Sequence, residues 1–332
     1  MKKKHFKYDS EYSIGMYLNK YQFLQQTELE LFAKTQKVFT EDTPCHLYFI
    51  LKRPRLSLDK DYFVQDQDFF EFKYYIHVQD EKHERLFRIG KPSDSKNFML
   101  MCEYPYDTFK ITDNGKINAN FKLAAILDII HSKNSKSEPL LDYKVLYVGQ
   151  AFGTDGKRTA IDRLGSHSTL QKIYSEAMQR NPDSEIWLML AHFEEQRFGA
   201  MNGKIIMPTE NQEENIQRFA DFMNPSGSKF SEDQKINFTE AALIQTFLPR
   251  YNKEFKGTFP SPNHSSYQEC YELGVNGIVV ELDTTNVARW LYSDHLPRRP
   301  EGQIGIQYWQ YGEFHFTTDK DRFKMFNNEY FE

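Results

Sequence analysis

Cysteine is nearly missing from this chain. Only 3 occur in 332 residues, at positions 45, 102 and 270, far apart and without CxxC spacing. That argues against a disulfide framework and against a thiolate metal site, and it points to a reducing, cytoplasmic setting. Long apolar runs are missing too, since nothing approaches the roughly 18 residues that mark a membrane-spanning helix. Lysines at positions 2, 3, 4 and 7 have no apolar stretch behind them, so they read as a solvated tail and not as a secretory leader. Nor is there a large excess of one charge. Lys and Arg number 42 against 47 Asp and Glu, a net charge of -5. A polybasic coat is excluded, and any nucleic-acid contact has to be local. No repeat of fixed period is visible.

Aromatic residues are abundant, with 28 Phe and 20 Tyr, and the length allows two or three units with sizeable cores. Residues 17–37 carry loosely periodic apolar positions and predict a helix. From residue 44 the runs HLYFILKR, FFEFKYYIHV and RLFRIGK are aromatic and β-branched, which predicts antiparallel strands. Residues 109–121 predict a hairpin, because Asp113, Asn114 and Gly115 tolerate the positive φ of a tight turn. Residues 123–130 read as a strand, as do 144–148. Residues 157–164 and 170–180 read as helices, and 185–193 as a further buried strand. A long polar stretch, 195–236, reads as an insertion with one helical piece. Residues 277–283 and 306–317 read as C-terminal strands, the latter a pair joined near Tyr311 and Gly312.

One ordered set of residues stands out. Tyr147, Val148 and Gly149 end a buried strand. Arg163 and His167 follow at a spacing that places both on one helix face. Glu240 opens the apolar helix pattern NFTEAALIQTF, and Asn252 closes the turn after it. This set resembles the GIY-YIG nuclease superfamily over residues 121–260. Tyr147-Val148-Gly149 matches the second signature tripeptide, Arg163 and His167 match the family's arginine and frequent histidine, and Glu240 and Asn252 match its metal-binding glutamate and terminal asparagine. The first signature, Gly-Ile-Tyr, is not matched on the strand expected to carry it.

The resemblance implies an α+β fold, a small mixed sheet flanked by helices. Here it would be combined with β-rich N- and C-terminal segments: residues 1–117, a nuclease-like unit at 118–262, and a C-terminal segment, 263–332, packing on the first. It also implies a DNA endonuclease with Mg²⁺ or Mn²⁺ on Glu240. A hard cation of this kind accepts a single protein carboxylate and keeps several waters. Arg163 would hold phosphate through its planar fork. Tyr147 would orient the attacking water, and His167 would replace the missing tyrosine as general base.

Local charge agrees with a DNA face. Between residues 144 and 180, six basic residues stand against three acids. Lys157, Arg158, Arg250 and Lys253 are the expected phosphate contacts. Each residue also has an ordinary structural role open to it. Tyr147 could pack across a strand, Arg163 could pair on a helix surface, Asn252 could sit in a plain turn, and Glu240, three residues after Asn237, could cap a helix. The alternative function is a catalytically silent module binding nucleic acid or a partner, with the β segments available to a partner protein or a second copy. No membrane association is expected.

Overall fold

The computed structural model describes residues 10–92, 97–134, 138–151, 160–165, 168–201, 211–224, 231–256, 259, 275–298 and 308–315. Tyr12, Ile14, Met16 and Leu18 alternate with more exposed residues and are buried, so the period of two makes Ser10–Leu24 the strand β1. The helix expected over residues 17–37 is confined to α1, Leu29–Thr35. The next strand, β2 (Leu47–Gln65), is the axis of the molecule. Leu47, Phe49 and Leu51 belong to one apolar cluster, whereas Tyr48 and Ile50 belong to another. The two clusters therefore lie on opposite faces of one sheet.

The first half of β2 is flanked by β8 (Tyr143–Gln150) and β9 (Ser184–Met201), both antiparallel to it. Beyond Pro54, which has no amide hydrogen to give to a ladder, β2 pairs with β3 (Phe69–Val78), and β3 pairs with β4 (Glu81–Gly90). A second sheet of β5 (Phe98–Cys102), β6 (Thr108–Asp113) and β7 (Lys116–Lys122) packs on this half through aromatic contacts such as Phe72 with Phe109, 5.1 Å between centroids. The β6–β7 turn is the expected hairpin, with Asn114 and Gly115 at φ of 50° and 77°.

The architecture differs from the expected fold class. Instead of a small mixed sheet flanked by helices, the chain builds one curled, nine-stranded mixed sheet of order β11-β8-β2-β9-β1-β10-β12, with β3 and β4 branching from β2. Strands β10 (Val275–Asp283), β11 (Leu291–Tyr292) and β12 (Trp309–His315) complete it. β10 runs parallel to β1, and β11 parallel to β8. Among the described residues the C-terminal strands enter the sheet through β1, which lies in the N-terminal segment, and through β8. β12 is one continuous strand, with Gly312 opposite Val280 and not at a turn. Thr246 of a packed helix occupies the space a Cβ at Gly312 would need.

Residues 123–130, expected to be a strand, form α2 (Leu123–Lys133). Leu123, Leu127 and His131 are buried at four-residue intervals, which is helical periodicity. Helices α3 (Ala160–Leu164) and α4 (Ser168–Arg180) bury Leu164, Leu170 and Ile173 in the cluster that holds Tyr48. α5 (Gln212–Met223) and α6 (Glu232–Phe247) contribute Phe222, Phe238 and Phe247 to the opposite cluster. Ser231 caps α6 by accepting from the Gln234 amide at 3.3 Å. Glu240 therefore lies in mid-helix, and the capping role open to it is excluded.

Candidate active site

Just before its last residue β8 carries Tyr147, Val148 and Gly149, antiparallel to Tyr48, Phe49 and Ile50 of β2, with Tyr48 directly opposite Gly149. A register shift in this pairing, between the pairs Ile50–Tyr147 and Leu51–Val145, leaves an extra residue in β8. The two rings lie 6.1 Å apart between centroids. Both fold over Gly149: a Cβ there would stand 2.5 Å from a Tyr147 ring carbon and 2.6 Å from the Tyr48 hydroxyl. No side chain can occupy that position without moving a tyrosine, so glycine is a steric requirement of the pair. Tyr48 is fully buried and Tyr147 is half-buried.

Three charged groups surround the pair. Burial pushes the Tyr48 hydroxyl far above the ordinary phenol range, with Tyr147 and Glu240 adding to the shift and the nearby Arg163 guanidinium opposing it. Tyr147 is raised by burial and by Glu240, again against Arg163. Glu240 is only 8% exposed, and burial lifts its carboxyl to about 7 despite Arg163 and hydrogen bonding from Gln150, with Glu254 adding a like charge. Two tyrosines, an arginine and a buried glutamate thus act on one another from four separate elements: β2, β8, α3 and α6. Gln150 also donates to Asn237 Oδ1 at 2.6 Å, which fastens α6 to the end of β8 and fixes where Glu240 stands.

Asn252 reaches the same strand but is already engaged there. Its Nδ2 donates to the Val148 carbonyl at 2.7 Å, and its Oδ1 accepts from the Val148 amide at 2.9 Å. The amide replaces a neighbouring strand along the outer edge of β8, beside the Tyr251 amide, which donates to the Leu146 carbonyl. Asn252 is therefore a clamp on the strand that carries Tyr147. Arg250 and Lys253 are exposed on the same turn. His167, Lys157 and Arg158 lie outside the described residues. Among the described residues no group of three or more His, Cys, Asp or Glu is placed to enclose a metal ion. Glu240 and Glu254 remain as carboxylates near the tyrosines.

The members of this site that the sequence did not give away are Tyr48, Gln150 and Glu254. Tyr48 sits in HLYFI, a run legible as a strand but separated from Tyr147 by the second sheet and α2. Only the pairing of β2 with β8 brings the two together. No family model, curated protein or solved structure matches the chain. No helix among the described residues is long and apolar enough to cross a membrane.

Proposed function

We propose that the protein is a divalent-metal-dependent DNA endonuclease with a GIY-YIG-type site, in which Tyr48 takes the place of the missing first-signature tyrosine. The observation that carries the reading is the convergence of the Tyr48 and Tyr147 rings over Gly149, with Arg163 and Glu240 acting on both. Phosphodiester cleavage needs an aligned water, charge stabilisation at the phosphoryl oxygens and help for the leaving oxygen. Arg163 is suited to hold a non-bridging phosphoryl oxygen. Tyr147, the more accessible phenol, is suited to orient the water, and Tyr48 behind it fixes the direction of the Tyr147 hydroxyl. Both phenols stay protonated at neutral pH, so they align and relay protons and do not stand as phenolates.

Glu240 fits Mg²⁺ or Mn²⁺, because burial leaves its carboxyl poorly solvated and an octahedral hydrated cation requires only one or two carboxylates, Glu254 being a second acid that acts on it through charge. When bound there, the ion would supply Lewis-acid stabilisation of the phosphoryl and leaving oxygens. The test is nicking of supercoiled DNA with Mg²⁺ or Mn²⁺ by wild type, Glu240→Gln and Tyr48→Phe. Cleavage by wild type is expected, with losses of about 10²–10⁴-fold in Tyr48→Phe, as for removal of a proton-transfer group. A larger loss is expected in Glu240→Gln. A silent binding module is the second reading, favoured by the complete burial of Tyr48. DNA binding without cleavage under either metal would establish it in place of the first.

A further inference from the structure

On the face of the sheet that carries Tyr48, a cavity of about 270 Å³ opens between β2, β8, α4 and the turn after α6. Its basic residues are Lys52, Lys144, Arg180 and Arg250, and its acidic ones are Glu176 and Asp294. Two positive charges are left in excess. Both acids are already committed. Asp294 accepts from Lys144 at 2.5 Å, and Glu176 accepts from the Tyr251 hydroxyl. Among the described residues, neither Arg180 nor Arg250 donates a hydrogen bond to a carboxylate. Lys52 is half-buried, donates to Asn181 Oδ1 at 3.1 Å and makes no ion pair among the described residues. Its ammonium is depressed by burial and by Lys144, with Asp183 and Asp294 opposing and Arg250 depressing it further. Like charges crowded into a partly desolvated pocket stabilise an incoming anion, and Arg180 and Arg250, which act on Glu176 through charge and of which Arg250 also lies over the Tyr251 ring, present planar forks that match phosphate oxygens.

We propose that this pocket holds a backbone phosphate of the DNA strand whose scissile phosphate lies at Tyr147 and Arg163. The inference rests on the nuclease reading above and adds a second anchoring point to it. Tyr48 and Lys52 lie four residues apart on one face of β2, about 13 Å at the rise of a strand. A phosphate a few nucleotides along the same strand spans that distance. The two places are also joined rigidly, since one turn carries Arg250 to the pocket and Asn252 to the edge of β8.

The experiment uses the full chain and a fluorescent duplex of about 20 base pairs in EDTA, at several salt concentrations between about 50 and 200 mM. The Lys52→Gln/Arg180→Gln variant is compared with wild type and with Lys34→Gln, a control on the exposed surface of α1. Unfolding midpoints without DNA check that each folds. Loss of one phosphate contact is expected to weaken binding about tenfold and to flatten the slope of log affinity against log salt by about 1. Inorganic phosphate is expected to raise the unfolding midpoint of wild type and not of the double variant. Unchanged affinity and slope in the double variant, beside a wild type that cleaves, overturns the pocket and leaves the nuclease reading intact. If wild type cleaves nothing, that reading falls, and the pocket is judged on binding alone: variant-sensitive duplex binding sustains it, and no binding overturns it.

Discussion

At the scale of single residues, Glu240 carries the clearest physical tension. A carboxyl lifted to about 7 by burial holds its proton more tightly in the folded chain than in the unfolded one. Its contribution to stability is therefore full below about pH 4.5 and falls as pH rises toward 7. Glu240→Gln removes that dependence. Without divalent metal, the variant should match wild type near pH 4.5 and exceed it at pH 8, by on the order of 3 kcal/mol for a carboxyl lifted from 4.5 to about 7. Urea unfolding at the two pH values measures the difference, and the other titrating groups cancel between the two proteins. Mg²⁺ at pH 8 should stabilise wild type more than the variant. Parallel pH profiles would show that Glu240 is ionised and already neutralised within the fold, removing the argument for a cation. This tension was not legible in the sequence, which put Glu240 in the set but left a capping role open to it.

Among the elements, the turn after α6 does more than end a helix. Leu248 takes the left-handed conformation at φ 43°, Pro249 follows, and the chain then lies along β8 with the Asn252 amide gripping both polar groups of Val148. Asn252→Ala leaves a buried amide and carbonyl without partners, each costing about 1–3 kcal/mol. Asn252→Asp keeps the acceptor for the Val148 amide but sets its second oxygen against the Val148 carbonyl, so it should be no better. Urea denaturation of both checks this. A variant that kept wild-type stability yet lost cleavage would return Asn252 to the chemistry and overturn the clamp. The elements also show why sequence reading divided as it did. β3, β4, the β6–β7 hairpin, α4 and the first half of β9 follow from local pattern and turn residues, whereas the second half of β9 falls where an insertion was expected. The run LAAILDII did not, because a short apolar stretch fits a buried strand or a buried helix equally well until its neighbours are known. Reading it as the strand before β8 hid Tyr48, since it filled the place that β2 holds.

For the whole molecule, the sheet order decides what can fold alone. β8 and β9 both fall within residues 118–262, the span expected to form a unit of its own, yet they do not touch as strands. Each pairs with β2, which lies between them. β9 then pairs with β1, and β1 with β10, so residues 10–24 and 275–283, far apart in sequence, are built into the same ladder. Buried charge ties the same three regions together. Arg53 and Arg289 are fully buried. Arg289 pairs with Asp128 at 2.7 Å, and Arg53 lies 3.4 Å from Glu185 and 4.3 Å from the centre of the Trp187 ring. Removing one partner of such a pair costs about 3–5 kcal/mol, because the other is left charged and dry. The span 118–262 expressed by itself loses β2 from the middle of its sheet and both arginines from around Asp128. It should therefore show no cooperative unfolding and no cleavage, even though it contains Tyr147, Arg163, His167, Glu240 and Asn252. Circular dichroism melts and a nicking assay on the fragment test this. A fragment that folds and cuts would mean that β8 and β9 can close a sheet without β2, and that Tyr48 is dispensable to the site.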